Sequence, residues 1–336
     1  MLPLPNDRTG FRALSAEVLQ LLEHRESEAV PPWAAGRLAR LLGAKRSSAL
    51  RVLPAAAARR TDAPAGSYAV APADDDSAAF VPIGDDEALD RAIRTRQPVR
   101  CEMPAERWLV PLCCAQEARY VIDLHELDAG VADKALAEEL VSLVSAYYDL
   151  LADAELDPLT RMANRRLFYS QVGSRLERWS SQRSEQRFLA VADIDHFKRV
   201  NDTYGHLYGD EILIHFAGVM RKSFRATDLL YRFGGEEFVM VFGVRRGEDG
   251  PAVLERFRRT VEAYDFPRIG RITASIGFTA IGNTVVPATT LVDQADQAVY
   301  YAKRNGRNRV CQYQALVAEG AMQAPAETAA GEVTLF

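Results

Sequence analysis

Four carboxylates in two short stretches could do chemistry together. Glu236 and Glu237 follow a pair of glycines in "RFGGEEF", between two apolar segments, and Asp193 and Asp195 end the apolar stretch "FLAVADID". Unpaired carboxylates this close would repel one another, so a bound cation or a raised pKa is needed. Oxygen clusters of this kind suit Mg²⁺, which usually binds alongside substrate phosphates. The pattern predicts a metal-and-phosphate site, and the alternative is a polar hairpin tip.

Glycines and cations near the carboxylates favour a phosphate-bearing ligand. Gly234 and Gly235 permit positive φ and carry no side chain, so a phosphate chain can approach the backbone closely. Lys198, in "HFKRVND", supplies a point charge that pairs with phosphate. Lys303 and Arg307 lie four residues apart near the end of a predicted helix. Each basic residue alone is typical of a solvated surface, but the ordered set indicates phosphate binding.

Two polar residues around a predicted turn are suited to reading a nucleobase. Asn201 and Asp210 flank the turn in "NDTYGHLYGD". Guanine presents adjacent N1–H and N2–H₂ donors, and a carboxylate accepts both. Adenine lacks that donor pair, so burying Asp210 against it would leave the charge unpaired. These residues therefore predict selectivity for guanine.

Bulk composition predicts a two-domain globular protein. The chain has 336 residues, of which 48% are hydrophobic and 26% charged. Its net charge of -5 argues against a nucleic-acid partner. No apolar run reaches the roughly 18–20 residues that span a bilayer, so we expect no membrane insertion. No signal peptide is recognisable, and the four cysteines have no C-x-x-C spacing. They are expected to be reduced thiols in a cytoplasmic protein.

The first 130 residues alternate helical and strand-like patterns. The segments that show these patterns are "WAAGRLARLLGAKRSSALRVL", "LDRAIRTRQPV" and "WLVPLCCAQEARYVIDLHEL". Their order resembles a GAF domain, which implies a sensory or dimerising module over residues 1–130. No residue identifies a ligand, so ligand sensing and a purely structural, dimerising role are both open.

A predicted helix over residues 131–156 links this region to the next. Its apolar residues are spaced four and three apart, as in the seam of a two-stranded coiled coil. The alternative is a helix that packs on its own domain. Pro158 ends the helix. The seam positions are Leu136, Leu140, Leu143, Tyr147, Leu150 and Ala154.

Residues 157–314 have the pattern of an α/β (α+β) domain with a central hairpin. The pattern predicts four main helices, five strands and a short helix from about His196, and the tail over residues 315–336 is expected to be disordered. The helices are predicted over 165–182, 206–224, 250–264 and 288–304, and the strands over 187–194, 228–233, 237–243, 271–281 and 308–313.

This second region resembles a GGDEF domain, the catalytic module of diguanylate cyclases. The segments on which the resemblance rests are, in order, "DPLTRMANRR", "DIDHFKRVNDTYGHLYGDEIL", "RATDLLYRFGGEEF", "ASIGFT" and "ADQAVYYAKRNGRNRV". The resemblance implies a central sheet like the palm of nucleotide cyclases and polymerases. It also implies that two GTP molecules are joined into cyclic di-GMP with release of two pyrophosphates. Because one such domain binds one GTP, it further implies a homodimer.

The resemblance assigns roles to the residues already identified. Asp193 and Glu237 would ligate Mg²⁺ or Mn²⁺ with the Ile194 carbonyl. Glu236 would ligate metal or help to deprotonate the attacking 3′-hydroxyl, and Arg232 would steady charge on the transferring phosphorus. The remaining implied contacts are guanine at Asn201 and Asp210, phosphates at Lys198, Lys303 and Arg307, and the phosphate path at Gly234 and Gly235.

A second ligand site is implied upstream of the glycines. Arg225 and Asp228 form R-x-x-D six residues before Gly234, the pattern and offset of the family's product-inhibition site. Arginine suits phosphate and the guanine Hoogsteen edge, and aspartate suits guanine donors. The alternative is a local salt bridge. Arg256 is expected to add a contact from a neighbouring domain.

The implied function is a diguanylate cyclase regulated by its N-terminal domain and by product. The alternative is a catalytically silent receptor for cyclic di-GMP. The chain departs from the family pattern in its entry segment, where Arg161 and Ala163 replace the usual glycine and proline. Neither position carries a proposed catalytic group.

Overall fold

The computed structural model describes residues 8–54, 68–74, 78, 80–102, 106–114, 117–128, 134–181, 185–225, 227–245, 249–282 and 286–322. The chain divides into two compact units, Met1–Leu156 and Asp157–Phe336, which are described separately. Within the described ranges, no helix combines the length and the apolar character needed to cross a membrane.

The first unit combines helices with short strands in the predicted alternation. Helix α2 begins with prolines in its first turn and ends at Gly43, whose left-handed backbone (φ 61°) suits glycine. The elements in order are α1 (Arg8–Glu23), α2 (Val30–Leu42), β1 (Arg46–Pro54), β2 (Tyr68–Pro72), β3 (Val81–Pro82), α3 (Glu87–Thr95), β4 (Val99–Cys101), β5 (Arg107–Cys114), β6 (Glu117–His125) and α4 (Lys134–Ala154).

The strands of this unit form one six-stranded sheet in the order β3-β2-β1-β6-β5-β4. Residues alternate between its faces, so Trp108 and Val110 of β5 pack with α1, α2 and α4, whereas Leu109 packs with α3 on the other face. The sheet therefore has a hydrophobic core on each side. The GAF-like identity of the unit stays a prediction.

Helix α4 packs on its own unit, as the alternative interpretation expected, and pairing of this helix with a second copy stays a prediction. Leu140 is buried in the core with α2 and β5, Leu136 is also buried, and the Tyr147 hydroxyl donates to the His24 carbonyl at 2.7 Å. By contrast, Leu143 is 37% exposed and Leu150 is 68% exposed. The predicted seam is thus divided between a buried part and a solvent-facing part. Residues 131–133 of the predicted helix lie outside the described residues.

The second unit follows the predicted order closely, with an unpredicted two-residue strand, Ala163–Asn164, at its start and a difference near its end. Tyr313–Ala318 form a short helix whose Leu316 is buried, although disorder was expected from residue 315; residues 323–336 of the predicted tail lie outside the described ranges. The elements are β7 (Ala163–Asn164), α5 (Arg165–Ser181), β8 (Glu185–Ile194), α6 (Phe197–Tyr204), α7 (His206–Ser223), β9 (Leu229–Gly234), β10 (Glu237–Arg245), α8 (Gly250–Ala263), β11 (Ala274–Ile281), α9 (Ala288–Arg304), β12 (Val310–Gln312) and α10 (Tyr313–Ala318).

The sheet of the second unit has the order β12-β11-β8-β10-β9-β7, so β8 is central. Strand β8 is antiparallel to both β10 and β11. Its even-numbered residues, such as Ala190 and Ala192, pack with α6, α7 and α8. Its odd-numbered residues Leu189 and Val191 pack with α5 and α9. Because successive side chains alternate, Asp193 also projects toward the α5 and α9 side.

Arg161 occupies a backbone position that favours glycine. Its φ is 55°, in the left-handed region, where a Cβ costs about 1 kcal/mol. We expect Arg161→Gly to raise the free energy of unfolding by up to about 1 kcal/mol, measured by urea denaturation. Arg166→Gly, within helix α5, is the control and should lower it by about 1 kcal/mol. Destabilisation by both variants would contradict the prediction.

Candidate functional site

Asp193 and Glu237 face each other at the end of the β8–β10 ladder. They are cross-strand partners, and both stand on the α5 and α9 side of the sheet. Asp193 is only 4% exposed, and its Oδ1 has no hydrogen-bond partner within the described part of the chain. Burial raises the pKa of Asp193, and the negative charges of Glu237 and Asp195 raise it further. A buried oxygen without a partner indicates that something else binds there.

Lys303 supplies the positive charge at this site. Its Nζ lies 2.7 Å from Oδ2 of Asp193. The positive charge of Lys303 favours the ionised carboxylate and so offsets part of the rise in the pKa of Asp193 that burial causes. The sequence assigned Lys303 to phosphates. In this structure its ammonium instead neutralises the carboxylate that is the foremost candidate metal ligand.

Asp195 does not join the carboxylate cluster, which corrects the expectation from the "DID" stretch. Its oxygens accept hydrogen bonds from Thr273 Oγ1 at 2.6 Å, Ser275 Oγ at 2.7 Å and the Asn308 backbone N–H at 3.0 Å. Since both oxygens are satisfied, Asp195 ties the end of β8 to β11 and to the loop after α9. Its role is structural.

The turn between β9 and β10 is shaped by Arg232. Gly235 has φ of +38°, and a Cβ built on either glycine of the turn would meet nothing within 4 Å, so the space above the turn is open. Arg232 donates from Nη2 to the Gly235 carbonyl at 2.8 Å and from Nη1 to Asp157 Oδ1 at 2.8 Å. The guanidinium therefore links the turn to Asp157. Only Gly235, not Gly234, has a positive φ.

Asp157 was not singled out by the sequence analysis, although it has a clear positioning contact. Besides Arg232, it accepts from the Thr160 N–H at 2.8 Å and the Thr160 hydroxyl at 2.7 Å. Burial opposes ionisation, but these hydrogen bonds lower the pKa of Asp157 overall. The D-x-x-T spacing in "DPLT" is the available signal, because aspartate commonly caps a turn three residues on.

The carboxylates fit a divalent cation that binds together with substrate. No three His, Cys, Asp or Glu side chains among the described residues form a ready-made metal cage. Mg²⁺ does not need one, since it commonly takes one or two carboxylates plus phosphate oxygens and water. The unpartnered Oδ1 of Asp193 and the opposing Glu237 supply that donor set. Burial, followed by the charge of Asp193, raises the pKa of Glu236 in the same turn.

Asn201 and Asp210 are brought together by the hairpin of α6 and α7. Asn201 Oδ1 is buried and has no partner in the described ranges. A Cβ on Gly209 would lie 2.0 Å from that oxygen, so a larger residue where α7 passes Asn201 would displace the Asn201 amide. Asp210 follows directly and is exposed. Gly209 was not among the predicted site residues; its signal in the sequence is the four-residue spacing from Gly205, which puts two small residues near one helix start.

The other predicted phosphate contacts surround the same end of the sheet. Lys198 is exposed on α6, five residues after Asp193. Arg307 lies beyond α9, in a left-handed turn with φ of 61°, rather than on the helix itself. Lys198 follows β8, which bears Asp193, whereas Arg307 precedes Asn308, whose N–H donates to Asp195 at 3.0 Å.

The Arg225–Asp228 turn is a separate feature at the end of α7. The carboxylate of Asp228 accepts from the Arg225 backbone N–H at 2.7 Å, which differs from the local salt bridge considered as the alternative. Arg256 on α8 donates to the Ser223 carbonyl at 3.3 Å. Arg256 thus lies beside this turn in its own unit, and its expected contact from a neighbouring domain stays a prediction.

Comparison with known proteins gives matches over the second unit. The sequence model of the family described as "Diguanylate cyclase, GGDEF domain" matches residues 154–309. The chain is 40% identical over 200 residues to diguanylate cyclase DgcP of Pseudomonas aeruginosa, covering 55% of this chain and 29% of that protein. It is 33% identical over 187 residues to diguanylate cyclase A of Treponema denticola, covering 53% of this chain and 50% of that protein.

A solved structure is also similar to this chain. The coiled coil and GGDEF domain of DgcB from Caulobacter crescentus, crystallised with c-di-GMP, is 31% identical with a TM-score of 0.48. The match covers 52% of this chain and 94% of that one. The chain spans half or less of the length of the two curated relatives named above.

Proposed function

We propose that this chain, whose residues 154–309 carry a GGDEF domain, is a diguanylate cyclase that condenses two GTP molecules into cyclic di-GMP. The observation that carries the proposal is the buried Oδ1 of Asp193, which has no partner in the described part of the chain and lies opposite Glu237 beside the glycine turn. Curated relatives named as diguanylate cyclases support it.

The chemistry is in-line phosphoryl transfer. The 3′-oxygen of one GTP attacks the α-phosphorus of the other, the bond to pyrophosphate breaks, and the hydroxyl proton is lost to a base. Repeating the step in the other direction closes the ring and releases the second pyrophosphate. A Mg²⁺ or Mn²⁺ ion held by Asp193, Glu237 and the Ile194 carbonyl, with Glu236 as ligand or base, would polarise the phosphate and acidify the hydroxyl.

The chain's own residues position the substrate. Asn201 and Asp210 hold the guanine edge. The buried Asn201 Oδ1 accepts a hydrogen bond from a donor such as the guanine amino group. Lys198, Lys303 and Arg307 hold phosphates, and the open space above Gly234 and Gly235 admits the phosphate chain. Arg232 donates to the Gly235 carbonyl and so keeps the glycine turn in place beside the carboxylates.

Incubation of purified protein with GTP and Mg²⁺ tests the proposal. Cyclic di-GMP and pyrophosphate should form in a ratio of one to two, and ATP should compete poorly. A silent cyclic di-GMP receptor is the second candidate, favoured only by the separate Arg225–Asp228 turn. The receptor would be established instead if the unmodified protein bound cyclic di-GMP while neither it nor Arg225→Ala formed any product from GTP.

We further propose that the active form is a homodimer, since one unit offers one guanine site and the reaction joins two nucleotides. The solvent-facing side of α4, with Leu143 and Leu150, is the proposed contact between first units of two copies. Burying exposed leucines is favourable by roughly 1.5–3 kcal/mol each. A GAF-like first unit would then regulate turnover through this contact.

The double variant Leu143→Glu/Leu150→Glu should be monomeric where the unmodified protein is dimeric. Charged side chains at the contact would be buried without partners, which is unfavourable. Analytical ultracentrifugation over a concentration series measures the effect, and specific activity should fall in parallel. Val81→Glu, at a position 57% exposed on β3, is the matched control. A double variant that dimerises normally would remove this face from the proposal.

Product inhibition is proposed at the Arg225–Asp228 turn with Arg256. Arg225→Ala should raise the cyclic di-GMP concentration needed for half inhibition at least about tenfold, because a guanidinium contact to phosphate or base contributes about 1.5–3 kcal/mol. Arg259→Ala is the control. It removes an arginine of α8 that lies outside the proposed site and pairs with Glu255 at 2.9 Å. Equal inhibition of Arg225→Ala and unmodified protein would exclude this site.

A further inference from the structure

The loop after α9 has more left-handed backbone than the end of the helix needs. Gly306, Arg307 and Asn308 have φ of 105°, 61° and 47°. The Arg307 N–H donates to the Ala302 carbonyl at 2.9 Å, and this kind of helix ending needs a positive φ only at the preceding residue, Gly306. Left-handed backbone is unfavourable for residues that carry a Cβ, although asparagine tolerates it better than most. The conformation of Arg307 and Asn308 therefore needs a cause beyond the helix end.

Three hydrogen bonds hold Asn308 in this conformation. Its backbone N–H donates to Oδ2 of Asp195 at 3.0 Å. Its side-chain Oδ1 accepts from Nη1 of Arg258 at 2.6 Å, and its Nδ2 donates to Oε1 of Glu262 at 2.7 Å. Backbone strain of this kind persists only where the surrounding structure fixes it. Both polar atoms of the Asn308 amide thus fasten the loop to α8.

The partners of Asn308 are held by other contacts as well. Arg258 is 8% exposed and donates two hydrogen bonds to Glu255, at 2.8 and 3.0 Å, and one to Glu262 at 2.9 Å. Asp195 is buried and also accepts from β11. Because these contacts remain, loss of the Asn308 amide leaves no buried charge unpaired. The fold should therefore survive its removal.

The residue before Asn308 is Arg307, a proposed phosphate ligand. Its carbonyl accepts from Arg309 Nε at 3.2 Å, and its guanidinium has no hydrogen bond or ion pair with any described residue. The helix that precedes the loop brings Lys303 to within 2.7 Å of Asp193, so the loop begins beside the candidate site. The backbone conformation at residue 307 therefore decides from where this long side chain starts.

We propose that Asn308 is a positioning residue for Arg307. By fastening the loop to Asp195 and to α8, Asn308 holds the Arg307 backbone in its left-handed conformation and limits the directions open to the guanidinium. A group that is already held loses less conformational freedom when it binds, so affinity rises. This inference rests on the proposed function, because the phosphates bound by Arg307 are those of GTP.

The first test is a double-mutant cycle between positions 307 and 308. The probe is GTP with a methylene group between its α- and β-phosphates, which the reaction cannot cleave, and calorimetry with Mg²⁺ measures its affinity. Asn308→Gly permits the left-handed backbone but removes the side-chain bonds to α8. It should weaken binding about three- to tenfold in the unmodified background. In an Arg307→Ala background it should have no further effect, because the side chain that it positions is absent.

A purely structural role of Asn308 predicts a different result. It would weaken binding equally in both backgrounds, and that result would overturn the proposal, as would undiminished affinity of Asn308→Gly. Asn305→Gly is the matched control, because it makes the same substitution in the same loop, where the amide donates to the Tyr301 carbonyl at 2.8 Å. This control should change the affinity less than about twofold.

Substitutions of Glu262 test the same contact from α8 and do not alter the loop sequence. Glu262→Ala removes the acceptor of Asn308 Nδ2 and should weaken binding of the analogue about two- to fivefold. Glu262→Gln keeps an acceptor oxygen and should recover most of that affinity. If Asn308→Gly fails to fold, this pair decides: alanine and glutamine variants of equal affinity would contradict the positioning role.

Amide hydrogen exchange tests the loop without nucleotide or divalent cation. Asn308→Gly should lower the protection factors of residues 306–308 at least about tenfold, because the loop opens more often once its side-chain bonds are lost. Asn305→Gly should leave the protection of residue 308 unchanged. Undiminished protection of the loop in Asn308→Gly would overturn the proposal.

The outcomes separate this inference from the proposed function. Normal formation of cyclic di-GMP without coupling between positions 307 and 308 would refute the positioning role alone. Coupling in a protein that binds the GTP analogue but forms no cyclic di-GMP would refute the proposed function and leave the positioning role intact. An unmodified protein that does not bind the analogue would refute both.

Discussion

Glu237→Ala is expected to lower the rate of cyclic di-GMP formation at least about a thousandfold, because a metal-binding carboxylate supplies several kcal/mol of transition-state stabilisation. Glu237 stands opposite Asp193, whose Oδ1 has no partner within the described ranges and is the other proposed metal ligand. The fold should be retained, since the Glu237 side chain is exposed and the β8–β10 ladder depends on backbone hydrogen bonds. Quantifying product by chromatography at saturating GTP and Mg²⁺ measures the loss.

Glu185→Ala is a control from the same strand pair. Glu185 lies at the opposite end of the ladder, across from Arg245, and pairs with Arg187 at 2.8 Å. Its removal should change turnover less than about twofold, as expected for a surface ion pair. Comparable losses in the two variants would indicate a general effect of charge on the sheet. Full activity of Glu237→Ala would show that the metal assignment is wrong.

Asp157→Ala is expected to lower kcat about a hundredfold without a matching change in guanine binding, because a small misplacement of reacting groups costs about that factor. Asp157 holds the Arg232 guanidinium, which in turn holds the Gly235 carbonyl. Loss of the carboxylate frees Arg232 and lets the glycine turn shift relative to Asp193. Steady-state kinetics with GTP separates the effect on kcat from that on KM.

Two comparisons make this result specific. Asp157→Ala combined with Arg232→Ala should be no worse than either single variant, since both remove the same support. Asp202→Ala, an exposed carboxylate on α6, should have nearly full activity. Additive losses in the double variant would mean that Arg232 acts directly on the transferring phosphate, as the family resemblance implied, rather than through the turn.

The local chemistry of the second unit was accessible from the sequence. Helices and strands were predicted close to their observed bounds because hydrophobic periodicity reflects which face of an element is buried. The glycine turn was recognisable because Gly235 needs a positive φ that other residues adopt at a cost. The carboxylates, the cations and the residues proposed to read guanine were selected by type and spacing.

The packing of α4 shows where such patterns become ambiguous. Leucines at heptad spacing bury equally well against a second helix or against the protein's own sheet. The sequence therefore predicted an apolar face without identifying what covers it. The structure places Leu136 and Leu140 in the core and leaves Leu150 exposed.

The sequence alone determined which residues are available for chemistry, and only the tertiary structure decided which of them meet. Asp193 and Asp195 look equivalent in "DID". Among the described residues, however, Oδ1 of Asp193 is buried without a hydrogen-bond partner, while Asp195 is hydrogen-bonded to β11 and to the loop after α9. Lys303 is near in space to Asp193 although 110 residues separate them. The physical reason is that periodicity is a property of one segment, whereas ion pairing and desolvation depend on the neighbours that strand register and helix packing bring to each side chain.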